Sequence, residues 1–241
     1  MILTQEGQGQ LPQPVRTDSL ASQAFTIVKD AIFTGQFQPG QLLRELHLAR
    51  MLNVSQATIR EALVQLEQVG LVVREQNRHT MVTNFTRDEV RDRLNIRIAL
   101  EELAAVEASK LMGEAEIGEL EQLAEEIGRT IQKGDWYDNV RADIRFHEFV
   151  WSHSGSPILA KMLTQLTTPL FAFLAVLHHA GMDNLKATSP HEEIVKAIAA
   201  KEPEQVRRHM RAHVENSYQE FLSSSVPRLD GLVTKKVNGE A

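Results

Sequence analysis

The chain has 241 residues, 42% of them hydrophobic and 24% charged, the balance of an ordinary globular protein with length for two domains. It has no cysteine, which excludes a disulfide framework and thiolate metal sites, and no apolar run or N-terminal signal that marks a membrane segment, so a cytoplasmic protein without a membrane partner is expected. The formal net charge of −6 lies wholly beyond residue 85, because residues 1–85 hold seven cations and seven anions.

Residues 1–16, rich in Gln, Gly and Pro, read as a disordered arm. Ser19 to Thr34 then has the pattern of an amphipathic helix, with Leu20, Ala24, Ile27, Val28, Ala31 and Ile32 facing inward and Gly35 as the stop. After a Pro39-Gly40 turn, Arg44 to Leu52 reads as a short helix with Leu46, Ala49, Met51 and Leu52 as its inner face, and Asn53 can take the left-handed conformation that ends it. Ser55 is placed to cap a second helix whose Ile59, Ala62, Leu63, Leu66 and Val69 recur at helical spacing before Gly70. Leu71–Arg74 and Thr80–Thr83 are β-prone runs around a polar turn, so a two-stranded wing is expected.

This order of elements is that of a winged helix-turn-helix, although a helical hairpin followed by an exposed β-ribbon also occurs in proteins that touch no nucleic acid; the family that these residues resemble makes double-stranded operator DNA the expected partner. Gln56, Thr58 and Arg60 fall on the N-terminal, outward side of the second helix, where donor groups meet base edges of a major groove. Arg44, Ser55, Arg78 and His79 complete the candidate contacts. A neutral head binds phosphate weakly, and a homodimer that doubles Arg44, Arg50, Arg60, Arg74 and Arg78 compensates.

Beyond Phe85 the punctuation is helical. Thr86 with Glu89 forms a capping-box pattern opening a helix to about Met112, and further helices are expected over 115–133, 136–154, 157–180, 189–200 and 203–223, with Gly113, Gly134, Gly155 and Gly181 at the junctions. The fold class is therefore mainly α, a winged head followed by an all-α bundle. Among nine histidines, His147 lies four residues after Asp143, and His209 and His213 are again four apart, while His191 opens a helix. Such residues can converge on a divalent metal, although spacing does not separate His209 from His213, nor a metal site from solvated histidines.

The residues Pro39-Gly40, Leu43, Leu48-Ala49, Leu52, Val54-Ser55, Arg60-Glu61-Ala62-Leu63, Leu66, Gly70-Leu71-Val72 and Val82 resemble the DNA-binding domain of the GntR superfamily of bacterial transcription regulators. Arg97 with Leu100-Glu101 and Ala104-Ala105, Asp143 with Phe146-His147, Ser154-Gly155 with Pro157-Ile158-Leu159, His191 with Ile194 and Ala197-Ile198, and Met210 with His213 resemble the FCD ligand-binding domain of its FadR branch, in a short form similar to the VanR type. The family often has Arg and Pro where this chain has Gln56 and Thr58, so its operators do not transfer. The wing lacks the family's glycine, and Ser156 stands in place of an Asn.

The resemblance implies a divalent metal of the Zn, Ni or Mn class on Asp143, His147, His191 and His213, with a small carboxylate effector reaching both the metal and Arg97. From sequence, Arg97 is equally suited to a surface ion pair with Glu101 one turn on, and Arg93 and Arg141 are weaker substitutes. His153, His178 and His179 gain no role. The expected organisation is an arm over 1–16, a winged head over 17–85, a metal-binding, effector-binding and dimerisation domain over 86–225, and a tail over 226–241. The expected function is a repressor relieved by an organic acid. The rivals are a sensor of the metal alone and a metal-dependent enzyme, and against the last there is no residue placed as a dedicated general base.

Overall fold

The structure, a computed structural model, describes residues 19–74, 79–134, 136–179 and 191–223. The arm, the tail, Arg78 and Gly181 lie outside the described residues, as do the side chains of His178 and His179.

Helix α1 (Leu20–Phe33) is capped by Ser19, whose hydroxyl accepts from the Ser22 amide. Its buried stripe is Ala21, Ala24, Val28, Ala31, Ile32 and Phe33, while Leu20 and Ile27, expected inside, are exposed. The stripe is built on three alanines, and small residues let α1 pack closely on the helix α3 described next. Helix α2 (Glu45–Leu52) has two turns and one inner stripe, Leu48 and Ala49, so Leu46 and Met51 project outward instead of inward as expected. Asn53 ends it at φ 52°, in the left-handed region. Helix α3 (Gln56–Gln68) buries Ile59, Ala62, Leu63 and Leu66, and Gly70 leaves it at φ +75°.

The wing strands are β2 (Val72–Arg74) and β3 (Thr80–Val82), antiparallel with Val73 opposite Met81. A third strand, β1 (Leu42–Leu43), pairs with the other edge of β3, giving the order β1-β3-β2. Two residues are too short to show a strand's alternation, and β1 was not expected from sequence.

Six helices follow among the described residues: α4 (Arg87–Leu111), α5 (Glu114–Lys133), α6 (Trp136–Ser152), α7 (Pro157–His179), α8 (His191–Ala199) and α9 (Pro203–Ser223). The capping box is formed: the Glu89 amide donates to Thr86 Oγ1 at 3.2 Å and the Thr86 amide to Glu89 Oε2 at 2.7 Å. Helix α4 runs against α9, α7 and α6, and α5 against α6 and α8. The stretch Pro157–Val176 of α7 is long and apolar enough to cross a membrane, contrary to expectation, and 61% of it is buried inside the protein, as in a core helix.

The head and the bundle are packed together. One apolar cluster joins Val28, Ile32, Leu63 and Leu66 of the head to Ala104, Ile144, Trp151, Leu163, Phe171 and Ala175 of the bundle. Gly70 lies at a close approach of the two, since a Cβ there would lie 2.9 Å from the Gln165 carbonyl oxygen and 3.3 Å from the Pro169 ring. Asp30 of α1 also hydrogen-bonds Tyr137 of α6, and burial with that bond pushes the Tyr137 phenol up to about 12.

Candidate functional site

Helix α6 presents Asp143 and His147 one turn apart, α8 begins with His191, and α9 presents His213. One ligand atom from each lies within 4.8 Å of every other. His191 Nε2 is 2.7 Å from Asp143 Oδ1, His147 Nε2 is 3.1 Å from His213 Nε2, and Asp143 Oδ1 is 3.7 Å from His147 Nε2. The three imidazoles are buried and the carboxylate is partly buried. Burial, then the neighbouring His191 and His147, hold His213 well below the ordinary imidazole value, which keeps it neutral. Burial opposes ionisation of Asp143, yet the hydrogen bond to His191 and the three imidazoles keep its pKa below the usual carboxylate value.

Behind this cluster stands Glu101 of α4. His147 Nδ1 donates to its Oε2 at 3.0 Å and Trp151 Nε1 donates to the same oxygen at 2.8 Å. That bond holds a proton on Nδ1 and orients the ring so that Nε2 faces Asp143 and His213. Burial works against the Glu101 charge, but His147, Arg97 and the two hydrogen bonds hold its pKa down to about 2. One carboxylate and three imidazoles converging within a few ångströms fit a divalent cation, and the cluster could hold one.

Arg97 is buried beside the cluster. Its Nε donates to Glu101 Oε1 at 3.0 Å, Nη1 to the Tyr218 hydroxyl at 3.3 Å, and Nη2 lies 3.4 Å from His147 Nε2. The guanidinium also sits over the Phe171 ring. The ion pair with Glu101 therefore exists, in the interior and not at the surface as that sequence alternative had it. Arg93 lies over Phe85 and Arg141 over Tyr137. His209 is not in the cluster and lies against Arg208, while His153 Nδ1 donates to the Phe149 carbonyl. Sequence reasoning missed Trp151 and Tyr218 and read Glu101 only as an ion-pair partner. A signal for Trp151 was present, since 143, 147 and 151 share one face of α6.

In the head, Ser55 Oγ accepts from the Thr58 amide at 3.1 Å and lies 2.8 Å from Thr58 Oγ1, so both hydroxyls are engaged in the cap. Thr58 is accordingly half-buried, whereas Gln56 and Arg60 are exposed. Arg60 is bound to Glu45 across the two helices. Arg44 is exposed at the start of α2, and His79 is exposed before β3.

Comparison with known proteins gives this arrangement its context. Residues 20–82 match the family of bacterial regulatory proteins called the gntR family, and residues 92–216 match the FCD domain. The HTH-type transcriptional regulator YdhC of Bacillus subtilis is 30% identical over 193 residues, 79% of this chain and 86% of that protein. The HTH-type transcriptional repressor RspR of Escherichia coli is 24% identical over 215 residues, 88% and 91% of the two chains. Among solved structures, E. coli McbR/YncC superposes with a TM-score of 0.71 at 24% identity over 85% of this chain and 100% of that one, a likeness of fold. The chain belongs to the GntR family of bacterial DNA-binding transcription regulators, with an FCD domain behind its winged head.

Proposed function

We propose that this regulator is a homodimer whose operator affinity is controlled by a small organic acid bound at a divalent metal, and that it acts as a repressor relieved by that ligand. The observation that carries this reading is the position of Arg97, whose Nη2 is 3.4 Å from the inward nitrogen of His147. A carboxylate bound to the cation between Asp143, His147, His191 and His213 is then within reach of a guanidinium that can take it in a charge-assisted bond. The metal would supply a Lewis-acid anchor for the acid. We take residues 17–85 as the DNA-binding part and 86–225 as the part that binds metal, effector and the second copy, and we place the protein in the cytoplasm with the DNA. Repression is supported by RspR, a repressor of similar sequence.

A second reading, a sensor of the metal alone, is favoured by one specific feature. Arg97 already has Glu101 and Tyr218 as partners, which limits what it can offer a further anion. Both readings are tested by measuring operator affinity of the full-length protein with and without a panel of small mono- and dicarboxylates, metal-loaded and metal-stripped. An organic-acid regulator changes affinity with at least one carboxylate when loaded. If only metal addition or removal changes it, the metal-sensor reading takes its place.

A further inference from the structure

Arg60 and Glu45 are fifteen residues apart in sequence and meet in a two-point contact. Arg60 Nε donates to Glu45 Oε1 at 3.2 Å and Arg60 Nη2 donates to Oε2 at 2.8 Å. Glu45 lies in the first turn of α2, where the helix dipole favours a carboxylate, and Arg60 lies on the exposed side of α3. A lone carboxylate on the DNA-facing side of a head that is electrically neutral overall would weaken binding to every sequence. Its position makes physical sense if the charge is spent on Arg60.

We propose that Glu45 is a positioning residue that fixes Arg60 so that the remaining edge of its guanidinium reads a guanine in each operator half-site. The carboxylate occupies the Nε and Nη2 edge, which leaves the end-on edge, Nη1 with the second Nη2 proton, open to solvent. Two parallel N–H groups on that edge match the O6 and N7 acceptors of guanine in the major groove. A long exposed Arg otherwise swings among rotamers and settles on whichever phosphate or base is nearest. Held at two points, it has lost that freedom before DNA arrives, and one base is favoured over the others. The inference rests on α3 being the helix that enters the groove.

The test uses the full-length protein. A selection from random duplexes gives the preferred half-site, after which wild type, Glu45→Gln, Arg60→Lys and Gln56→Ala are titrated against that site and its single-base variants at several salt concentrations. Wild type is expected to prefer guanine at one position per half-site by about ten- to a hundredfold. Arg60→Lys removes that preference, and Glu45→Gln removes most of it, while both keep the preferences at other positions. If Glu45→Gln changes affinity for all duplexes by one common factor, Glu45 contributes bulk charge only and the proposal is overturned. If Arg60→Lys lowers all affinities equally and flattens the salt dependence, Arg60 holds a phosphate, which also overturns it. If none of the three substitutions changes binding to any DNA, the placement of α3 in the groove fails instead.

Discussion

The Glu101 carboxylate and the Trp151 indole meet at 2.8 Å with both side chains buried, and the oxygen that takes the indole proton also takes the His147 proton. A tryptophan on α6 and a glutamate on α4 thereby fix the face that His147 turns toward Asp143 and His213. Glu101→Gln replaces one acceptor oxygen and the charge while keeping the size. Metal affinity is expected to fall by about ten- to a hundredfold, the usual cost of losing such a supporting carboxylate. Competition with a chelating dye checks it, and unchanged affinity would show that His147 is oriented by other means.

Substitution of Arg97 needs more care than its sequence suggests. Arg97→Ala strands Glu101 in the interior, and breaking a buried pair in this way costs about 3–5 kcal/mol. Arg97→Lys keeps the charge and loses the planar fork, so it is the better probe. It is expected to retain metal and operator binding while the change in operator affinity caused by a carboxylate, about 1–3 kcal/mol in wild type, is reduced. A full response in Arg97→Lys would remove the guanidinium from effector binding.

His191→Ala and His213→Ala are each expected to lower metal content and thermal stability together, since a ligand held by the folded chain at a hundred times its dissociation constant adds about 2.7 kcal/mol. His209→Ala should change neither, because that side chain lies outside the cluster. Elemental analysis with thermal melts in the presence and absence of chelator distinguishes the three. Full occupancy in His213→Ala would sink the ligand assignment.

Gly70→Ala is expected to destabilise the protein by about 1–2 kcal/mol from the left-handed backbone alone, with a further cost from the added carbon beside the Gln165 carbonyl. Urea denaturation measures it. A loss no larger than that of the backbone would mean that α7 can withdraw from the added carbon without cost.

Much of the head was legible because its signals are local. A cap at Ser55, a left-handed Asn53 and four apolar residues at helical spacing are each decided within a few residues of chain. Strand β1 was not, since two residues take their identity from the partner strand β3. The exposed Leu20 and Ile27 show the same limit in a helix, where alanine and leucine compete for the inner face and the packing distance to the neighbouring helix decides. At the candidate metal site, spacing offered His209 and His213 equally, and only tertiary structure shows which faces Asp143. Glu101, Trp151 and Tyr218 come from three helices, and their meeting around Arg97 and His147 has no signature short of the fold itself.

The contact between α1, α3 and the bundle also bears on how the molecule comes apart. Val28, Leu63 and Leu66 share one oily interior with Trp151, Leu163 and Phe171, and Asp30 ties that seam to the helix carrying Asp143 and His147. Calorimetry should accordingly record a single cooperative transition, not one melt for each half, and the amides of α3 should exchange with solvent about as slowly as those of α6. If the cluster holds the proposed metal, its removal should loosen the amides of the winged head together with those of α6, α8 and α9, a distribution of protection that hydrogen exchange can map residue by residue.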